Sequence, residues 1–456
     1  MSRKYFGTDG VRGQVGREPM TVDFALRLAN AAARVMAPDG GSVVIGKDTR
    51  VSGYMFESAL EAGFVAAGFD VYMLGPLPTP GIAYITNSFD ANLGVVISAS
   101  HNPFFDNGIK FFDSNGAKLS DEIELQIEAL VDGPVLTRDS SRLGRAKRVD
   151  TARIKYQDFL RSTFPADLDL TGMKIVIDTS HGAGYKVGPR CLAELGAEIV
   201  PIGCSPNGRN INDGCGSTAP EFLQTTVKGV GADLGIALDG DGDRLLMVDE
   251  KGTLLDGDQL LFLLATEKQA AGELEGPVVG TVMSNLGLER ALQERGIEFV
   301  RAKVGDRYVL EKLRQSGGIL GGETSGHMIC LDRTTTGDGL VTALQVLAIV
   351  KRAGKSLSEL GRGMRLYPQQ LINVRAEARV DLQTHEGIQA AQTRAESDLG
   401  DRGRVVLRAS GTEPVIRVMV EGDELGLVEK SASELAQAVE AAVRSPALVQ
   451  GCRACR

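Results

Sequence analysis
Three carboxylates alternate with glycine in the run Asp239-Gly-Asp241-Gly-Asp243-Arg244. Glycine permits tight turns and close approach, so carboxylates at this spacing can fold around one cation. A calcium loop of the EF-hand type is the obvious rival, and Glu250 even falls at its twelfth position. Its sixth position is Arg244, where that loop requires glycine, and Leu245–Val248 reads as a strand. Three oxygen donors with room for further ligands suit Mg²⁺, which shares its shell with phosphate or water.

Ser100 stands in Ala99-Ser100-His101-Asn102-Pro103, directly after the apolar run Leu93–Ser98. By itself this is a turn, since Asn-Pro initiates turns and serine caps helices. Beside a cation and basic groups the same oxygen could carry a phosphoryl group, with His101 or Lys110 near enough in sequence to move a hydroxyl proton. The loop Gly321-Gly-Glu323-Thr-Ser325-Gly-His327 offers alternating polar side chains that can reach vicinal hydroxyls or an amine of a sugar. Arg408-Ala-Ser410-Gly411-Thr412-Glu-Pro414, followed by Arg417, suits an anion, because arginine grips phosphate bidentately and Gly and Ser expose N–H groups. His101, His181 and His327 have no Cys or second His at short spacing, which argues against zinc. Cys452 and Cys455 have CxxC spacing but no second pair, and read as a terminal tail.

These loops need strands to hold them, and one order of elements recurs three times. The first copy runs through strands Ser42–Ile45, Asp70–Leu74 and Leu93–Ser98, with helices near Tyr54–Ala67 and Thr79–Ser88. The second has strands Lys174–Asp178, Glu198–Ile202 and Asp233–Leu238, with a helix near Ala183–Leu195. The third has strands Val278–Val282, Glu298–Lys303 and Gly318–Leu320, with helices near Leu286–Arg295 and Arg307–Gln315. Short apolar runs alternating with helical patterns predict α/β architecture, which binds ligands beyond the carboxyl ends of its strands. The Ser100, Asp239 and Glu323 loops each follow the last strand of a copy, so three equivalent strand ends could converge on one site. Past residue 366, strands Gln369–Arg375, Val405–Leu407 and Val415–Glu421 with a helix Glu424–Arg444 read as a separate α+β domain. Domains are expected at 1–150, 151–250, 251–365 and 366–456, with Leu130–Arg148 as the first linker.

The whole chain of 456 residues is too long for one ordinary core. Its 43% hydrophobic and 24% charged residues are ordinary for a soluble globular protein. A net charge of −9 argues against nucleic acid and anionic membrane as partners, but not against a phosphate met by a few local cations. No run reaches the length of about 18 apolar residues that a membrane helix requires. Residues 1–10 are polar, without a signal-peptide core, and six scattered cysteines form no disulfide framework. A cytoplasmic enzyme with reduced thiols is expected.

Taken in order, several of these motifs carry a resemblance over nearly the whole chain. They are Lys4-Tyr-Phe-Gly-Thr-Asp-Gly-Val-Arg12-Gly13, Ser98-Ala-Ser100-His-Asn-Pro, Asn107-Gly-Ile-Lys-Phe-Phe112, Asp239–Arg244, Val304-Gly-Asp-Arg-Tyr308, Gly322–His327 and Arg408–Pro414. Together they resemble the α-D-phosphohexomutase superfamily and, within it, the bacterial phosphoglucosamine mutases. The resemblance implies that Ser100 is a phosphoserine, and that its oxygen with Asp239, Asp241 and Asp243 holds Mg²⁺. It implies that Arg12, His101, Lys110 and Arg244 line the transfer site, and that Glu323, Ser325 and His327 face the sugar. Arg408, Ser410, Gly411, Thr412 and Arg417 would hold the phosphate that is not transferred.

The implied architecture is three similar mixed α/β domains plus a smaller C-terminal α+β domain around a central cleft. The implied partners are a sugar-phosphate substrate and a hexose 1,6-bisphosphate intermediate and activator, with a homodimer left open. Glucosamine phosphate is the leading substrate; glucose and mannose phosphates are the alternative. Two departures stand out: Thr324 where those enzymes usually carry Gln, and Asp178-Thr-Ser-His181-Gly-Ala in place of Asp-Cys-Ala-Asn-Gly-Ala. A Mg²⁺ phosphatase would use the same aspartates but release free phosphate. A sugar-phosphate-binding protein would have no need of a phosphoryl acceptor such as Ser100.

Overall fold
The computed structural model describes residues 3–376, 381–409 and 414–444. Two compact units emerge, one comprising the chain up to Thr281 together with Ile297–Gly363, the other Val282–Gly296 together with the chain from Met364 on.

The first unit holds three sheets. In the first, β1 (Val11–Gln14), β2 (Gly41–Lys47), β3 (Phe69–Pro76), β4 (Leu93–Ile97), β5 (Asp106–Asp113) and β6 (Ala146–Arg148) take the order β1-β5-β4-β2-β3-β6. The second has β7 (Lys174–Asp178), β8 (Glu198–Ile202), β9 (Leu234–Leu238), β10 (Leu245–Asp249) and β11 (Leu254–Leu255), ordered β11-β10-β9-β7-β8. The third has β12 (Val278–Thr281), β13 (Phe299–Ala302), β14 (Leu320–Gly322) and β15 (Met328–Cys330), ordered β13-β12-β14-β15. All three contain one four-stranded unit: three parallel strands flanked by an antiparallel one, which is β5, β10 or β15. The expected three-fold repetition is therefore present at the level of topology. Helices cover the sheets, so β4 and β9 are buried along their whole length, as parallel strands between helical layers must be. The first core gathers Phe24, Leu28, Phe56 and Phe64 against Val43, Ile45 and Val95.

Several details depart from the sequence reading. The antiparallel strand β5 passes unrecognised there, although it carries Lys110 opposite Val96. The expected linker at 130–148 contains β6, which pairs with β3 through Val71 and Ala146. The helix expected at 183–195 breaks into a 3₁₀ turn, Ala183–Tyr185, and a helix, Val187–Glu194.

The second unit is a three-stranded antiparallel sheet, β16 (Gln369–Arg375), β17 (Gly403–Ala409) and β18 (Val415–Gly422), ordered β16-β18-β17. Helices Glu386–Leu399 and Leu425–Arg444 bury Ile388, Leu435 and Val439 against Val374, Ile416 and Val418. The helix Leu286–Gln293 connects the parallel strands β12 and β13, as the third repeat requires, and its contacts group it with this second unit. Arg404 Nη1 and Nη2 donate to the carbonyls of Val282 and Ser284, at 3.0 and 2.6 Å, and Arg290 donates to that of Asp401.

Candidate active site
Each of the three antiparallel strands is reached by a loop from the last parallel strand of its sheet, and these loops carry Ser100, the three aspartates and Glu323–His327. The loops after β4 and β9 meet directly. Ser100, only 2% exposed, donates from Oγ to Asp239 Oδ2 at 2.6 Å, and its Oγ lies 3.3 Å from His101 Nδ1. Gly240 allows that approach, because a Cβ there would come within 2.7 Å of the Ser100 carbonyl oxygen.

The aspartates form a compact acidic cluster, with one carboxylate oxygen of each lying within 4.8 Å of the others. Burial, and then the charges of Asp243 and Asp241, push the Asp239 carboxyl well above the usual range. Asp241 goes the other way. Burial opposes its ionisation, but Lys110 Nζ at 2.8 Å and Thr79 Oγ1 at 2.7 Å hold it below its ordinary value. Both donors use Oδ2. Oδ1 of Asp241 and Oδ1 of Asp243 remain buried without a hydrogen-bond partner. Buried acceptors with no donor are costly unless something cationic meets them, and an all-oxygen set of this kind fits a hard divalent ion.

Cations ring the cluster. Lys110 Nζ also reaches Asp9 at 2.9 Å; burial lowers its proton affinity, but Asp241 and Asp9 more than reverse that, so it stays an ammonium. Arg12 pairs with Asp9, and Arg244 donates its backbone N–H to Asp239 Oδ1 at 3.2 Å. His101 is lowered to about 4, by burial first and then by Arg244 and Arg12.

His327, expected among the sugar-facing groups, is buried between Asp243 and Asp306, with its ring nitrogens 3.6 Å from a carboxylate of each. Burial works against its charge, yet Asp243 and Asp306 raise it to about 9. The rest of its loop is less uniformly buried, and only Ser325 in it is exposed. Glu323 Oε1 accepts from the Gly305 N–H at 2.9 Å. Thr324 donates its hydroxyl to the buried Asp258 at 2.8 Å, so the departure from Gln is engaged with the helix Gly257–Ala270. Gly326 is required at φ +93, where a Cβ would strike the Leu245 carbonyl.

Three site-lining residues escaped the sequence reading. Lys118 bridges Asp9, at 2.5 Å, to Asp306 and so ties the first sheet's loops to the helix Asp306–Ser316. Asp9 and Asp306 both lie inside motifs that carry the family resemblance, which was the available signal; Lys118 offered none.

In the second unit, Arg408 on β17 stands directly opposite Arg417 on β18. Partial burial and the Arg417 charge lower the proton affinity of Arg408. Like charges directly opposed on a sheet are unfavourable unless an anion lies between or beside them. Ser410, Gly411 and Thr412, and also Cys452 and Cys455, lie outside the described residues.

Comparison with known proteins agrees with this geometry. Family models for phosphoglucomutase/phosphomannomutase match in four parts: α/β/α domain I over residues 3–135, domain II over 155–252, domain III over 256–367, and the C-terminal domain over 371–438. A phosphoglucosamine mutase of Ralstonia pickettii is 55% identical over 447 residues, covering 96% of this chain and 100% of that one. Another, of Nitrosococcus oceani, is 57% identical over 440 residues, covering 96% and 98%. Among solved structures, a phosphoglucomutase/phosphomannomutase family protein of Burkholderia thailandensis superposes with a TM-score of 0.80 at 27% identity, covering 95% of this chain and 97% of that one. An N-acetylphosphoglucosamine mutase of Aspergillus fumigatus, crystallised with GlcNAc-6P and magnesium, shares the fold with a TM-score of 0.70 at 18% identity, covering 97% and 96%.

Proposed function
The chain belongs to the phosphoglucomutase/phosphomannomutase family, and from that premise we propose that it interconverts glucosamine 6-phosphate and glucosamine 1-phosphate through a phosphorylated Ser100. The observation that carries the mechanism is the 2.6 Å approach of Ser100 Oγ to Asp239 inside the acidic cluster. The full-length relatives named for this reaction support the substrate.

Asp239, Asp241 and Asp243, with an oxygen of the phosphoserine, would hold Mg²⁺, which when bound offsets charge on the transferring oxygens. In the first half-reaction the bond from phosphorus to Ser100 Oγ breaks as one forms to the C1 hydroxyl oxygen of glucosamine 6-phosphate. The hydroxyl proton ends on Oγ, and His101, 3.3 Å away, is placed to carry it. The product is the 1,6-bisphosphate. After it turns over, Ser100 Oγ takes the 6-phosphoryl group, the proton returns to O6, and glucosamine 1-phosphate leaves. Arg12, Lys110 and Arg244 stabilise charge on the moving phosphoryl oxygens. Glu323 and Ser325 read the sugar, while His327 holds the inner end of their loop against Asp243. The Arg408–Arg417 pair takes the phosphate that is not transferred.

The same reading places the reaction in the cytoplasm, with hexose 1,6-bisphosphate as activator and the product feeding UDP-N-acetylglucosamine synthesis. Among the described residues no helix is long and apolar enough to cross a membrane. A coupled assay comparing glucosamine, glucose and mannose 6-phosphates tests the proposal. Glucosamine 6-phosphate is expected to lead in kcat/KM, and Ser100→Ala to abolish turnover. A lead for glucose or mannose would move the substrate within the family. Free phosphate as the only product would replace the mutase with a phosphatase.

A further inference from the structure
The far side of the Ser100 loop is held by two side chains that carry none of the transfer chemistry. Asn212 Nδ2 donates to the carbonyls of Ser100, at 2.9 Å, and Asn102, at 3.0 Å. Arg50 Nη2 donates to the same two oxygens, at 3.1 and 2.5 Å. Arg50 is fully buried, and its charge is met by Asp48. It follows β2 in the sheet that carries Ser100, whereas Asn212 lies between β8 and β9 in the sheet that carries the aspartates. The two donors therefore grip the loop from both of the sheets whose separation sets the distance from Ser100 to Asp239.

Backbone strain gathers at the same place. Five described residues other than glycine have a left-handed φ, and four of them, Ser100, Ser180, His181 and Asn212, form one connected patch. The Asn212 N–H donates to the Ser180 carbonyl at 3.0 Å, and the His181 carbonyl accepts from Thr49 Oγ1 at 2.6 Å. Such conformations are unfavourable for residues with a side chain and persist only where their surroundings over-determine them. Here the surroundings are the donors just named, and what they fix is Ser100 at φ +52 with Oγ directed at Asp239. The unusual Asp178–Ala183 loop thus has a place in the account: its Ser180 and His181 back the residue that clamps the Ser100 loop.

We infer that Asn212 and Arg50 are positioning residues for phosphoryl transfer, a clamp spanning two sheets that holds the Ser100 and Asn102 carbonyls and thereby aims Ser100 Oγ at the acidic cluster. The inference rests on Ser100 being the phosphoryl carrier. Misplacing reacting atoms by about 1 Å can cost roughly a hundredfold in rate, whereas sugar contacts made elsewhere are untouched.

Asn212→Gly tests it, because glycine keeps the left-handed φ and removes only the donor. Asn212→Asp is the companion, with nearly the same shape but an acceptor facing two carbonyls. In both full-length variants kcat is expected to fall about 10- to 100-fold, with KM within about threefold and Tm within a few degrees of wild type. A kcat within twofold of wild type in both variants overturns the clamp, and so does a loss of rate that merely follows a collapse in Tm. Wild type is assayed alongside for turnover and for phosphate on Ser100. If it shows neither, the functional reading falls and the clamp with it; if it shows both, the variants judge the clamp alone.

Discussion
The loop after β9 buries three aspartates to 6% exposure or less, whereas the loop after β14, at the same station of an equivalent sheet, leaves Ser325 exposed and Glu323 half-buried. Their bonding differs as much as their burial. In the first, two carboxylate oxygens have no hydrogen-bond partner while Lys110 and Thr79 crowd onto a third. In the second, Glu323 and Thr324 are tied to the Gly305 N–H and to Asp258. One topology thus yields two kinds of site. Incomplete satisfaction in a dry place suits the ion and phosphoryl site proposed for the first loop, since unmet charge there is strongly felt. A loop whose neighbouring side chains are tied to the scaffold and which leaves Ser325 exposed suits the sugar-reading role proposed for it.

The sharpest way to break this contrast is to remove one charge from the buried loop. Asp241→Asn is expected to lower kcat by roughly a hundred- to a thousandfold and to weaken Mg²⁺ binding measured by calorimetry. A loss confined to KM would mean that the buried loop only binds sugar.

Next in size is a pH effect behind the same loop. Asp338 caps the helix Gly339–Ala353, whose Gly339 N–H donates to the Gly242 carbonyl at 3.0 Å. Burial raises the Asp338 carboxyl to about 6. The folded chain therefore holds this proton more tightly than the unfolded chain. Its contribution is fully present below about pH 4 and lost as pH rises through 6, a swing of about 3 kcal/mol. Asp338→Asn, which can still cap the helix, should flatten that part of the stability-against-pH curve. An unchanged slope would remove Asp338 as its source.

Smaller effects belong to the loop after β14. Ser325→Ala is expected to raise KM about three- to tenfold with kcat within twofold, the pattern of lost uniform binding. Thr324→Val should cost about 1 kcal/mol of stability by removing the hydroxyl that donates to Asp258, and leave the ranking of sugars unchanged. A changed ranking would show that Thr324 reads the sugar directly.

The strand-end loops were legible in sequence because alternating apolar runs mark parallel strands and glycine marks the turns after them. Ser100 and the three aspartates were recognisable on that basis, and Lys110 by its nearness to Ser100 in sequence; the structure bonds Ser100 to Asp239 and Lys110 to Asp241 and gathers the three carboxylates within 4.8 Å. The residues that organise them were not. Lys118 meets Asp306 across 188 positions of chain, and Asn212 meets Ser100 across 112. Such contacts leave no local period. His327 illustrates the limit from the other side: its loop was recognised, but whether a loop side chain faces substrate or core depends on packing with a second sheet. The helix Leu286–Gln293 was legible as the crossover between two parallel strands, β12 and β13, while its grouping with the second unit left no mark in its own periodicity.

The central claim is that one serine carries the phosphoryl group. It is tested most directly by incubating the protein with hexose 1,6-bisphosphate, locating the phosphate by peptide mass spectrometry, and then adding glucosamine 6-phosphate without free bisphosphate. The expected result is phosphate on Ser100 alone, passing stoichiometrically to the sugar. Phosphate on another residue, or its release to water instead of to the sugar, would contradict the account.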